Sequence, residues 1–295
     1  MNILSHGSAK RSTFSRILRN MLNLEVIVRW VLAIFFLVIA IFPIYWLFNV
    51  VFSPPGTAVA ITPRLFPTSF SDGMVKIQQI LAKGPFLKAT MTSFVYAYFQ
   101  IAGMLLVTSL AAYEFSLFDF PGKNVLFTLA LTGMMVPLAV TIIPMFRVVV
   151  ALKWVNTMAG LAVPGMASAL SLFIIKQLME DIPRELIEAA EIDGASHFRI
   201  YWNIVLPQSI NALLTVSILT FVYVWGSFLW PLIVSNKPDG YTISVLVASL
   251  SGTTAYTPID QLVAAYFLAA IPPVLVYIFL QRFIVDSVAR SGIKG

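Results

Sequence analysis

Cysteine is absent from the 295 residues, histidine occurs only twice, and charged residues make up 11% of the chain. Without cysteine there are no disulfides, thiolate metal centres or cysteine nucleophiles. His6 and His197 are too few and too far apart in sequence for a histidine metal site. No Gly-x-x-x-x-Gly-Lys-Ser/Thr run occurs, so the chain lacks the phosphate cradle of an ATPase. No catalytic residue, metal ligand or cofactor is called for. Soluble domains carry about a quarter charged residues; with less than half that share and 59% hydrophobic residues, this is an integral membrane protein. A net charge of +6 set against that apolar bulk does not suggest nucleic acid as a partner.

What is present is a series of long uncharged runs. A bilayer-crossing helix needs about 20 mostly apolar residues, and the runs 30–52, 89–113, 124–146, 154–175, 200–236 and 261–281 supply six candidates. The fifth is too long for one crossing, and Pro207 marks where its true span begins. Prolines within the runs, such as Pro43, Pro137 and Pro164, read as kinks, which neighbouring membrane helices tolerate. The basic segment 1–29 ahead of the first run resembles the start of a signal peptide, but the run is too long and lacks a clear cleavage site. A retained anchor with a cytoplasmic N-terminus is expected. Six spans then put both termini and the 176–203 loop inside. Twelve Lys and Arg fall inside and seven outside, in the sense of the positive-inside rule.

That inner loop holds Glu180, Asp181, Glu185, Glu188, Glu191 and Asp193, six of the chain's thirteen acids. Asp181 and Pro183 start a short helix, with Arg184 and Glu188 spaced to pair on one face. Gly194 is placed to stop that helix in a left-handed cap, and Ser196 to cap the next, "HFRIYWNIVLP", which is apolar enough to lie at the membrane surface before Pro207 redirects the chain. Read from composition alone, the loop is a solvated amphipathic segment. Its spacing says more: Glu188-Ala189-Ala190, three residues, Gly194, nine residues, Ile204, one residue, Leu206-Pro207. This resembles the EAA signature of the membrane subunits of ATP-binding-cassette (ABC) importers at every named position.

Further stretches, "NTMAGLAVP" (156–164), "FLWPLIV" (228–234), "DIPRELIEAAEIDGAS" (181–196) and the terminal "SGIKG" (291–295), resemble the carbohydrate-importer branch. The match is to the maltose-transporter type of subunit whose C-terminal tail reaches the ATPases. The likeness covers most of the chain from about residue 90. It implies an all-α type I importer fold: six transmembrane helices, a cytoplasmic basic N-terminus (1–29), a permease domain (30–284), and a coupling helix region (181–203) between the fourth and fifth spans. A cytoplasmic tail (285–295) would follow an extended path between the ATPases through Arg290, Gly292 and Lys294. Glu188, Ala189, Ala190, Asp193, Gly194, Leu206 and Pro207 would couple the subunit to the ATPases. Implied partners are a second membrane subunit, two ATP-binding subunits and an extracytoplasmic solute-binding protein, all at a bacterial inner membrane. One departure is Trp225-Gly226-Ser227, where many relatives carry Trp-Asn, so no role of that Asn passes to Gly226.

Sugars bind through aromatic faces and hydrogen bonds, and the second and fifth spans offer Tyr96, Tyr98, Gln100, Tyr223, Trp225, Ser227, Phe228 and Trp230. In membrane helices such residues also serve as packing or as interfacial belts. Outside, seven cations face three acids; inside, twelve face ten. A more basic outer face suits an anionic solute, and Arg147, following an apolar run, is the sharpest candidate for contact, with snorkelling to lipid as the plain alternative. The expected cargo is an oligosaccharide, acidic uronate chains included, or else a sugar or polyol phosphate. An ion-gradient transporter would show ionisable residues mid-span, and a membrane enzyme would cluster His, Asp or Glu; neither class accounts for the EAA spacing.

Overall fold

The structure is a computed structural model. It describes residues 24–252 and 257–292, with side chains described for 25–252 and 257–281. Contacts divide the chain into two units, Met1–Lys76 and Ile77–Gly295.

In the first unit, α1 (Leu24–Val51) is almost wholly apolar after Arg29 and carries Pro43. The loop that follows is tied to the C-terminal end of this helix. Backbone N–H groups of Thr68 and Ser69 donate to Phe52 O at 3.1 and 3.0 Å, and Lys76 Nζ donates to Val50 O and Ser53 O at 3.0 and 2.7 Å. Lys76 is buried at 3% exposure; a cation here meets the negative end of the helix dipole. The rings of Phe52 and Phe70 lie 5.2 Å apart. Gly73, on the next helix α2 (Phe70–Ala82), has no side chain because a Cβ would lie 2.3 Å from the Phe52 ring.

In the second unit, α3 (Phe86–Leu117) is the central helix. Its remaining helices are α4 (Lys123–Thr132), α5 (Leu138–Ala151), α6 (Met158–Ala162), α7 (Ala169–Met179), α8 (Arg184–Ile192), α9 (His197–Ile200), α10 (Leu206–Gln208), α11 (Ile210–Gly226), α12 (Leu229–Val234), α13 (Ile243–Leu250) and α14 (Ile259–Gly292). α3 packs against α7 and α11, and α11 against α14. The core at one end gathers Met104, Tyr113, Ile175, Met179, Ile200 and Tyr201.

Among the described residues, three helices are long and apolar enough to cross a membrane, Glu25–Val51, Phe86–Leu117 and Ile259–Gln281, and three bent pairs bring the number of candidate spans to six. The third and fourth spans are therefore broken rather than merely kinked as the sequence suggested, and the fifth breaks just after Pro207, where its true span was expected to begin. Lys123–Met135 and Leu138–Ala151 meet at 102°, Met158–Gly165 and Ala169–Met179 at 50°, and His197–Gln208 and Ile210–Gly226 at 72°. Proline explains the first two breaks. Val136, before Pro137, is driven to the extended conformation (φ −83°, ψ 116°), and Pro164 sits in a single 3-10 turn, Val163–Gly165, that α7 does not continue. At the third, a π-helical stretch Tyr201–Val205 precedes Pro207, and the chain turns at Ser209. A helix is present there, beginning at His197 and continuing through the π-helical stretch to Gln208. At the far end α14 continues through Gly292, so the backbone of Arg290 and Gly292 is helical instead of extended. The side chains of Arg290 and Gly292's neighbours, and all of Lys294, lie outside the described residues.

Candidate functional site

The EAA loop builds from its turn outward. α8 begins after Pro183 and ends at Ile192. Gly194 takes φ +77°, and the Gly194 and Ala195 N–H groups donate to Glu191 O and Ala190 O at 3.0 and 2.9 Å. These two bonds form a Schellman closure, which only a residue tolerant of positive φ completes without strain. Ser196 then caps α9 by accepting from Arg199 N. On α8, Ile187 is buried and Ala190 half-buried against the core; burying Ile187 contributes about 2 kcal/mol. Glu185, Glu188, Ala189 and Asp193 face outward. Among the described residues, Arg184 and Glu188 form no ion pair with each other, contrary to their spacing, and both are exposed.

Two exposed apolar side chains join this face, Ile192 at 87% and Phe198 at 71% exposure. Sequence reasoning passed over both, although an apolar residue next to Asp193 on an acidic helix is a readable anomaly. The loop is fastened to α3 by aromatic contacts. Tyr113 donates to His197 O at 3.2 Å, stacks edge-on with Tyr201 at 5.3 Å, and Tyr201 shares a 2.7 Å hydrogen bond with Ser109. The segment that follows α8 is thus joined to a long helix of the bundle by bonded, close-packed groups. Leu206 is half-buried and Pro207 exposed, both in the short helix just before the 72° turn.

A second feature lies between α3, α7 and α11. Gln100, Ser168, Ser171, Thr220 and Tyr223 bring polar groups to a cavity of about 340 Å³ beside the break in the fourth span. A neighbouring cavity of about 680 Å³ shares Ser168, Leu170 and Tyr223 and reaches Gly133 and Met134 at the break in the third span. Irregular backbone at membrane depth is tolerated where it is buried in protein or lines a water-filled cavity.

Of the aromatic candidates, the structure brings Tyr96, Tyr223 and Ser227 together. Tyr96 is buried, while Tyr223 is 60% exposed and lines both cavities. Trp225 and Trp230 are buried, their indole N–H groups donating to Ala269 O at 3.0 Å and Leu161 O at 3.1 Å. Arg147 is exposed on α5 and lines neither cavity. Among the cations assigned to the outer face, Lys76 is buried as described, and Lys88 pairs with Asp239 at 2.6 Å, which holds the Asp239 carboxyl below its usual range through that bond and charge. Burial withdraws Lys76 from the exposed cations, while the Lys88–Asp239 pair cancels one charge of each sign and leaves the excess otherwise as counted.

Residues 104–290 match the family model for the binding-protein-dependent transport system inner membrane component. The chain is 38% identical over 208 residues to the sn-glycerol-3-phosphate transport system permease protein UgpE of Yersinia enterocolitica serotype O:8, covering 70% of this chain and 74% of the relative. It is 36% identical over 211 residues to the protein of the same name from Escherichia coli O1:K1, with 70% and 74% covered. Its fold matches a crystal structure of a bacterial ABC transporter involved in the import of the acidic polysaccharide alginate, with a TM-score of 0.76, 21% identity, and 87% of this chain and 95% of that chain covered.

Proposed function

Because this chain belongs to the family of inner-membrane components of binding-protein-dependent transport systems, we propose that residues 184–197 are the coupling helix through which it is driven. It is a multi-pass transport subunit of the inner membrane; ATP hydrolysis falls to separate partners. The observation that carries the reading is the geometry of α8. Ile187 anchors it, Gly194 closes it, and Glu188, Ala189 and Ile192 are left facing outward. Glu188 pairs with a basic residue of the ATPase, Ala189 and Ala190 permit close approach, and Ile192 fills an apolar recess. Two ATP-binding subunits, a second membrane subunit and an extracytoplasmic binding protein complete the assembly, with both termini cytoplasmic and the Arg290–Lys294 tail directed at the ATPases.

The pathway lies along the cavities at the two span breaks, with Tyr223 on the solute and Tyr96 and Ser227 behind it. Trp225 and Trp230 hold the helices that carry them. The solute is carbohydrate-like, an oligosaccharide with acidic chains included, in keeping with the alginate importer of like fold. A second reading, a polyol or sugar phosphate, is favoured by the 38% identity to glycerol-3-phosphate permeases. For either, nucleotide and loaded binding protein must favour the same conformer, or neither shifts the equilibrium.

The test is reconstitution with the co-encoded partners and measurement of ATPase stimulation by binding protein loaded with neutral oligosaccharide, alginate oligosaccharide or glycerol-3-phosphate. Stimulation by one of the three, lost in Glu188→Lys, is expected. An assembly that recruits no ATP-binding subunit would remove the reading.

A further inference from the structure

The segment 54–71 carries a single charged residue, Arg64, among apolar side chains and four prolines, Pro54, Pro55, Pro63 and Pro67. Residues 59 to 66 are exposed without a break. Ile61 stands at 99% exposure, Phe66 at 73%, Val59 at 65% and Leu65 at 63%. Single apolar residues scattered on a surface are ordinary, but a contiguous run of them marks a contact.

The segment folds back along α1 instead of leaving it. At the end of the helix, the N–H groups of Thr68 and Ser69 donate to Phe52 O. Farther down, Asn49 Nδ2 donates to Arg64 O at 2.5 Å, and the Tyr45 hydroxyl donates to Leu65 O. Tyr45 and Phe52 are seven residues apart, about 10 Å along a helix. Leu65 is thus held alongside the last two turns of α1. Tyr45 and Trp46 in those turns are the residue types that collect where a spanning helix meets the lipid headgroups. The helix itself is long and apolar enough to cross a bilayer, and its residues 27–44 are exposed. The apolar run of the loop therefore continues a membrane-facing surface.

Backbone at a bilayer must satisfy its polar groups or lack them. The four prolines have no N–H to satisfy, and the side chains of Asn49 and Tyr45 occupy the carbonyls of Arg64 and Leu65. Both devices suit a chain at the headgroup boundary. The Arg64 guanidinium reaches Thr68 Oγ1 at 3.4 Å and, among the described residues, forms no ion pair. From this we propose that residues 59–66 are a phospholipid-binding anchor in the outer leaflet. Ile61, Leu65 and Phe66 enter the boundary between headgroups and acyl chains, where interfacial segments sink about 5–10 Å. Arg64 pairs with a lipid phosphate while its stem lies over the apolar chains. The anchor steadies the end of α1 and, through the Lys76 bonds to Val50 O and Ser53 O, the first turns of α2. A binding protein approaching from above would meet the end of α1 first, not Leu65 beside its last two turns. The choice of leaflet rests on the cytoplasmic N-terminus proposed above.

The experiment uses the full complex, its partner cysteines replaced, in cells and then in vesicles of phosphatidylethanolamine and phosphatidylglycerol. Phe66→Cys carries an environment-sensitive NBD fluorophore, and Ser71→Cys, exposed at the start of α2, is its control. Sidedness is read first, with an impermeant maleimide applied outside the cells. Labelling of Ser71→Cys is expected; labelling only after permeabilisation would overturn the topology and the outer-leaflet anchor together. Depth is read next, with lipid carrying a nitroxide near the top of the acyl chain and with aqueous iodide as opposed quenchers. The nitroxide lipid should quench residue 66 several-fold more than residue 71, and iodide several-fold less. Ile61→Ser with Leu65→Ser, or Arg64→Glu alone, changes exposed side chains and so leaves the fold intact; each should raise iodide quenching at residue 66 toward that at residue 71. Without those changes, iodide reaching residue 66 as readily as residue 71 would overturn the anchor. So would protection from both quenchers, which means that a protein surface covers the loop, and so would protection that arises only when loaded binding protein is added.

Discussion

Replacing Gly194 in turn by asparagine, alanine and valine isolates the backbone contribution of the coupling turn. The residue holds φ +77°, and a Cβ added to it meets no atom within 4 Å, so no steric clash confuses the result. The left-handed region costs an ordinary L-residue about 1–2 kcal/mol. Asparagine enters it most readily, and a β-branched residue least. The strain is relieved only if the last turn of α8 opens, which breaks the Gly194–Glu191 and Ala195–Ala190 bonds and loosens the Ile187 anchor. If an intact turn is what the ATP-binding subunit grips, opening it weakens docking by about 5- to 30-fold. Titrating purified ATP-binding subunit against the permease complex in nanodiscs reads this directly. Affinity should fall in the order glycine, asparagine, alanine, valine. Valine binding as tightly as asparagine would refute the claim that turn geometry governs docking.

Three further outcomes follow from particular contacts. Glu188→Lys should weaken recruitment of the ATP-binding subunit without lowering the thermal stability of the membrane subunit, because the side chain is exposed; a matching loss of stability would contradict this. Trp230→Phe removes the bond to Leu161 O and should cost about 1 kcal/mol, seen as a lower melting temperature with solute preference intact. The Lys88–Asp239 pair lowers the folded carboxyl pKa, so its contribution is present above the ordinary carboxylate value and fades as pH falls through the lowered one. Asp239→Asn should remove that acid-side dependence, and an unaltered pH profile would show that the pair contributes nothing.

The loop around Glu188 was readable in advance because its determinants are local. A glycine able to reach positive φ and a serine ready to cap act within a few residues of one another, and both appear where expected, while of the alanine pair Ala189 is exposed and Ala190 half-buried against the core. The breaks in the third and fourth spans were not readable, whereas Pro207 marked the one in the fifth. Pro137 and Pro164 are plain in the sequence, but the apolar character is the same on either side, and hydropathy does not separate a kink from a break. Which indole N–H finds a carbonyl is equally hidden, since the Trp225 and Trp230 acceptors lie 44 and 69 residues away. Gln100 shows the same limit: its hydrogen bond is to Gly165, 65 residues on. Charge counting could not show that Lys76 is buried or that Lys88 meets Asp239, because both are tertiary events. Spacing also misjudged Arg184 and Glu188, whose geometry permits a pair that the exposed helix does not form.

The chain's lack of cysteine makes the central claim directly measurable. Ala189→Cys places a single thiol on the exposed face of α8, and maleimide labelling is followed with and without the ATP-binding subunits. The account predicts rapid labelling of the membrane subunit alone, strong protection once the ATP-binding subunits bind, and a change in that protection on adding ATP. Labelling that proceeds equally fast in both states would mean that α8 is not the docking surface.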